Sequence, residues 1–191
     1  MHTPRLVTGI VSLFLLLPNT AFAAEALSFG PQAPVSRGDF VKRVIDTLYD
    51  AKTIGNCFSK LSPSQYRLLF TDVSVTHPAA AELCIAMRAG IIQGYGDGSF
   101  RPARQLNFAE ASKIITRALG VQRVAGLPQG MPWYATYVKA LEYRGAIPRT
   151  ILTFDQPMTS PDLNEILFRL EQHIANRPFT GYAQLEARTG K

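Results

Sequence analysis

Gly94-Tyr95-Gly96-Asp97-Gly98-Ser99-Phe100-Arg101-Pro102, with Asn107-Phe108-Ala109-Glu110 close behind, is the stretch on which the reading of this chain turns. Asp97-Gly98 signals a tight turn, because Asp bonds its own backbone and Gly accepts a positive φ. Tyr95 and Phe100 flank that turn, and each can drop a ring onto helices below. Asn107 then stands three residues before Glu110. This is a capping box: the amide side chain accepts from the Glu110 N–H, and the carboxylate reaches back to the Asn107 N–H. Ile114, Ile115, Ala118 and Leu119 follow at helical spacing, and Gly120 ends the run.

Outward from that box, the same opening recurs twice, as Ser36-Arg37-Gly38-Asp39 and Thr159-Ser160-Pro161-Asp162. In each, an acid follows the capping residue by one turn, where the helix dipole is positive. Pro161 falls in the first turn, where a missing N–H costs little. The helices that follow carry Phe40, Val41, Val44, Ile45 and Leu48 in one case, and Leu163, Ile166, Leu167 and Leu170 in the other. Such spacings gather the apolar side chains on one face. Helices this short are not stable alone in water, so the three stripes are expected to bury against one another. A second kind of helix also repeats. Leu83 and Ala86 before Gly90 align with Val138 and Leu141 before Gly145, each glycine being placed to end its helix in the left-handed conformation.

The repetition divides the chain. Residues 36–70 hold a lone capped helix and an irregular insert from residue 50, 71–120 a complete unit, and 121–175 a divergent unit. Residues 24–35 precede them. Residues 176–191 have few apolar side chains and are expected to fray.

From Phe70-Thr71-Asp72-Val73 through Gly90-Ile91-Ile92 and the Gly94–Pro102 turn to the Asn107–Glu110 box, the sequence resembles the S-layer homology (SLH) family. The resemblance implies a mainly α fold: a pseudo-trimeric helical module with a central three-helix bundle and loop-rich prongs. It also implies an acidic, often pyruvylated, cell-wall polysaccharide as ligand, held in grooves between units, with other envelope or S-layer proteins as further partners. The family's binding arginine sits second in the capping tetrapeptide, where this chain has Arg37 but also Phe108 and Ser160. Asp72 matches the acid ahead of the helix, and Arg101 belongs to the turn motif. Trp133 keeps an aromatic that could stack on a sugar, where the preceding unit has His77-Pro78. Arg37, Asp72, Arg101 and Trp133 are therefore the candidate ligand residues. Gly94, Tyr95, Asp97, Gly98 and Phe100 are read as turn and core, and Ser36, Asp39, Asn107, Glu110, Thr159 and Asp162 as caps.

The N-terminus reads as a secretory signal. Arg5 precedes the apolar run Leu6–Leu17, and Ala21-Phe22-Ala23 offers a cleavage site. The run is too short to span a bilayer of ~30 Å, though an uncleaved anchor is the alternative. No later segment could cross a membrane. Export places the chain in the cell envelope or at the cell surface. There, Cys57 and Cys84 read as one disulfide, worth about 3 kcal/mol in the chain-entropy picture, or else as two buried thiols. An apolar content of 47% argues against disorder, and the net charge of +6 favours a polyanionic partner. No basic stripe interleaved with aromatics points to nucleic acid. No metal-ligand spacing, cofactor motif or nucleophile elbow is present, so a non-enzymatic binding role is expected, the alternative being an interaction module that kept the fold and lost the sugar.

Overall fold

The computed structural model describes residues 33–62, 64–65, 70–174 and 176–190. The expected signal at 1–23 and the following residues to 32 lie outside the described residues. Seven α-helices are present among the described residues: α1 (Arg37–Leu48), α2 (Ala51–Ser59), α3 (Ala80–Arg88), α4 (Phe108–Ala118), α5 (Ala135–Tyr143), α6 (Ser160–Glu171) and α7 (Tyr182–Thr189). Pairing between extended segments is limited, among those residues, to isolated bridges. The fold is mainly α, as the periodicity required.

All three capped helices begin where the boxes place them. Asn107 Oδ1 accepts from the Glu110 amide at 2.9 Å, and Glu110 Oε2 accepts from the Asn107 amide at 3.3 Å. Thr159 and Asp162 make the same reciprocal pair. In α1, Ser36 Oγ accepts from the Asp39 amide at 3.1 Å, while the Ser36 hydroxyl donates to the Asp39 carboxylate at 2.7 Å. The apolar faces of the three helices enter one hydrophobic core, with Phe40, Val41, Val44, Ile45, Ile115, Leu163 and Ile166 fully buried.

The segments just ahead of the caps knit together. The Arg37 amide donates to Arg104 O and the Gly38 amide to Pro102 O. One unit later the Phe108 amide donates to Gln156 O and the Ala109 amide to Phe154 O, the same two bonds at equivalent positions. Met158 N–H reaches Leu106 O, Val35 N–H reaches Met158 O, and Ser36 bridges Gln105, so each segment pairs with both others. The groups orphaned at helix starts are thereby satisfied by the neighbouring unit.

The second helix type repeats equally closely. Gly90 and Gly145 have φ of 69° and 60°. Behind them Ile91 N–H returns to Ala86 O and Ala146 N–H to Leu141 O, each at 2.9 Å. Both glycine carbonyls accept from an arginine of the capped helix that follows: Arg117 on Gly90 O at 3.3 Å, and Arg169 on Gly145 O at 3.1 Å. Helix α3 packs on α1 and α2, α4 packs on α1 and α5, and α5 packs on α7.

Two expectations need correction. Residues 51–59 are helical, not irregular. Asp50 accepts from the Thr53 amide at 2.9 Å and holds the Thr53 hydroxyl at 2.8 Å, and the Cys57–Cys84 disulfide fastens α2 to α3. Thr, Gly and Asn weaken the intrinsic helix preference of this segment, and burial of Ile54 overrides it. The C-terminal tail is also ordered. Tyr182 and Leu185 are buried one turn apart, Thr180 N–H donates to Ile147 O, and Glu142 accepts from the Tyr182 amide at 2.8 Å. Two well-placed side chains anchor it despite a polar composition.

Candidate functional site

The turn at 94–102 is a clamp that presents one wall of a groove. Tyr95 N–H donates to Ser99 O at 2.7 Å, and Gly98 N–H donates to Tyr95 O at 3.0 Å. A Cβ on Gly94 would sit 2.9 Å from Ser99 O, so only glycine fits. Asp72 grips the far end, with its two oxygens accepting from the Phe100 and Arg101 amides, both at 2.7 Å. That clamp holds Arg101 at φ 60°. Phe100 is fully buried against Phe70, ring centroids 4.9 Å apart. Tyr95 stays half-exposed beneath arginines rather than dropping into the helices, with the Arg101 guanidinium 4.1 Å from its ring centroid.

Between the start of α1, residues 91–95, α4 and Trp133 lies a cavity of about 230 Å³. Arg37 from the start of α1, Glu110 and Lys113 from α4, and Trp133 are among the residues that line it. Arg37 is only 9% exposed. One of its terminal nitrogens donates to Gln93 O at 3.3 Å, and the guanidinium plane sits 4.6 Å from the Phe100 centroid. Its Nε is buried with no hydrogen-bond partner among the described residues. An unsatisfied donor of this kind normally costs about 1–3 kcal/mol. Burial pushes the Arg37 pKa down, offset in part by Tyr95 and Glu110; the side chain remains cationic regardless.

Lys113 completes the basic side of the groove. Its Nζ lies 5.6 Å from the Trp133 ring centroid, and no carboxylate among the described residues pairs with it. Burial pushes its pKa down, and the positive charges of Arg117 and Arg37 push the same way. Glu110 does not neutralise these cations directly, because Arg104 binds one of its oxygens and the Asn107 amide the other. Trp133 is 55% exposed and braced edge-on by Tyr134 and Tyr137. The groove therefore combines two cations, the Glu110 carboxylate engaged by Arg104 and Asn107, an indole platform and a backbone wall. That set is suited to an anion carried on a flat, partly apolar body such as a sugar ring.

Of the four candidate ligand residues, the structure brings Arg37 and Trp133 together on this cavity. Asp72 is occupied with backbone amides, and Arg101 with Asp97 at 3.0 Å and Ser99 at 3.2 Å; neither lines it. Lys113 was not singled out from sequence. It falls on the polar side of the α4 pattern, where a groove residue and a solvated one look alike.

The family model described as the S-layer homology domain matches residues 69–112. Residues 69–112 are thus similar to the S-layer homology domain. The match runs from just before the Asp72 clamp through α3 and the turn into the first residues of α4, so the backbone wall at 91–95 and Glu110 fall within it, while Arg37, Lys113 and Trp133 lie outside. Relatives follow the same line. A cell surface protein of Thermoanaerobacter kivui is 27% identical over 144 residues, 74% of this chain and 17% of that protein. A middle cell wall protein of Brevibacillus brevis is 33% identical over 106 residues, 54% of this chain and 9% of the relative. A surface layer protein of Brevibacillus choshinensis is 37% identical over 59 residues, 31% of this chain and 5% of that one. The chain thus spans less than a fifth of the length of these relatives. No described helix is long and apolar enough to cross a membrane.

Proposed function

We propose that this SLH protein is a non-enzymatic component of the cell envelope that holds an acidic wall polysaccharide in the groove between Arg37 and Trp133. The observation that carries the reading is the buried Arg37 guanidinium, which has no carboxylate partner among the described residues, on a cavity shared with Lys113 and an exposed indole. A carboxylate, such as that of a pyruvate ketal or a uronic acid, would neutralise a guanidinium that no carboxylate pairs with among the described residues. Trp133 would then cover a sugar face. The names of the relatives, all surface or wall proteins, fit an envelope location. The repeated bonds between pre-cap segments support a pseudo-trimeric arrangement of the three units.

The test is co-sedimentation with purified wall sacculi, before and after acid removal of the secondary polymer. The parent chain should sediment only with intact sacculi, and Arg37→Ala should lose about tenfold or more in affinity, the worth of one charge-assisted contact. Sedimentation indifferent to the polymer would replace this reading with a protein-interaction module, a role that Phe108 and Ser160 at the equivalent arginine positions would suit.

A further inference from the structure

The three capped helices allow the grooves to be compared position by position. In the described cavity, the residue after one cap, Arg37, faces the residue six past the next cap, Lys113. The backbone bonds that set this register recur between α4 and α6, so the equivalent pair there is Phe108 and Glu165. Carrying the register round to α1 pairs Ser160 with Lys42. Phe108 is wholly buried and offers no charge. Glu165 is bound by Arg169 at 2.7 Å and Arg177 at 3.0 Å. The C-terminal segment also closes over the neighbouring backbone wall, since Phe179 bridges Pro148 and buried Thr180 donates to Ile147 O. Lys42 is claimed by Asp46 at 3.0 Å and by buried Glu82 at 2.5 Å. Only Arg37 and Lys113 form a pair of cations in which neither has a carboxylate partner among the described residues.

We infer that the chain has one working groove of three, and that Lys113 makes it selective for a saccharide bearing two negative charges, one for each of the two cations that no carboxylate contacts among the described residues. The inference rests on the proposed function above and deepens it. A single carboxylate on Arg37 would leave half-buried Lys113 beside an indole with its charge unanswered. A phosphate, or two carboxylates on neighbouring positions, would answer both.

Calorimetric titration of the full chain with three probes tests this: N-acetylglucosamine, glucuronic acid and N-acetylglucosamine 6-phosphate, at a pH where the phosphate is dianionic. The expected order is phosphate over glucuronate over the neutral sugar, with one site per chain. Lys113→Met keeps the apolar stem beside Trp133 and should reduce phosphate affinity about tenfold while leaving glucuronate within about twofold; Lys113→Arg should restore the preference. Melting temperatures of these variants should match the parent, which separates lost binding from lost folding. Equal binding of the two anions, a preference that survives in Lys113→Met, two or more sites, or no binding of any probe would overturn the inference. Sacculus binding that needs Arg37 but is indifferent to Lys113 would sink it alone, and leave the proposed function standing.

Discussion

Replacing Asp72 separates a structural clamp from a ligand contact. Its carboxylate accepts two backbone N–H bonds, both at 2.7 Å, from Phe100 and Arg101. Bonds to a charged group are worth about 1.5–3 kcal/mol each when buried. Asp72 is exposed, so solvent screening reduces this to about 1 kcal/mol each. The clamp also holds Arg101 at φ 60°, a conformation that costs a non-glycine residue about 1–2 kcal/mol. Once the clamp is removed, that strain can relax by distorting the turn. The two lost bonds cost about 2 kcal/mol together and relief of the strain offsets part of that, so Asp72→Ala should destabilise the fold by up to about 2 kcal/mol. For a chain of this size that upper value corresponds to a fall in melting temperature of about 4–8 °C. Asp72→Asn keeps one carbonyl acceptor and should lose about half as much. Thermal unfolding followed by circular dichroism reads both. An Asp72→Ala variant that melts within about 1 °C of the parent, yet binds sacculi less well, would refute the clamp and return Asp72 to the ligand.

Other parts of the fold give further expectations. Gly94→Ala places a Cβ 2.9 Å from Ser99 O and should cost about 1–3 kcal/mol, seen as a lower urea midpoint. Reducing Cys57–Cys84 should cost about 3 kcal/mol and raise amide exchange first in α2, which packs on α3 and is pinned to it by that bond; uniform exchange across the domain would contradict this. The Asp97 carboxyl is held down to about 2 by the Ser99 hydroxyl and amide and by Arg101. A depressed acid stabilises the folded state above its ordinary pKa near 4 and loses that contribution as pH falls through the folded value. Its carboxyl resonance should titrate near pH 2, and a midpoint near 4 would disprove the turn network.

The three helix starts, the two glycine-ended helices and the disulfide were all legible in the chain, because each depends on local chemistry. A capping box needs residues three apart, and a helix-ending glycine needs only its own φ. The insert helix α2 escaped because weak helix formers hide it until Ile54 is buried, and α7 because two anchors, Tyr182 and Leu185, suffice in a polar segment. Of the candidate ligand residues, Arg37 and Trp133 could be proposed from a motif, but nothing local says that they face one cavity or that Asp72 points away from it.

By itself, then, the sequence determined where helices begin and stop and which of their faces turn inward, since those are decided by neighbours within a turn. Only the tertiary structure decided which cations are left without an acid. Arg104 reaches Glu110, Lys42 reaches Glu82, and Glu165 meets Arg177, while Lys113 beside Trp133 meets none among the described residues. Charge compensation acts between segments far apart in the chain, over distances that only packing sets.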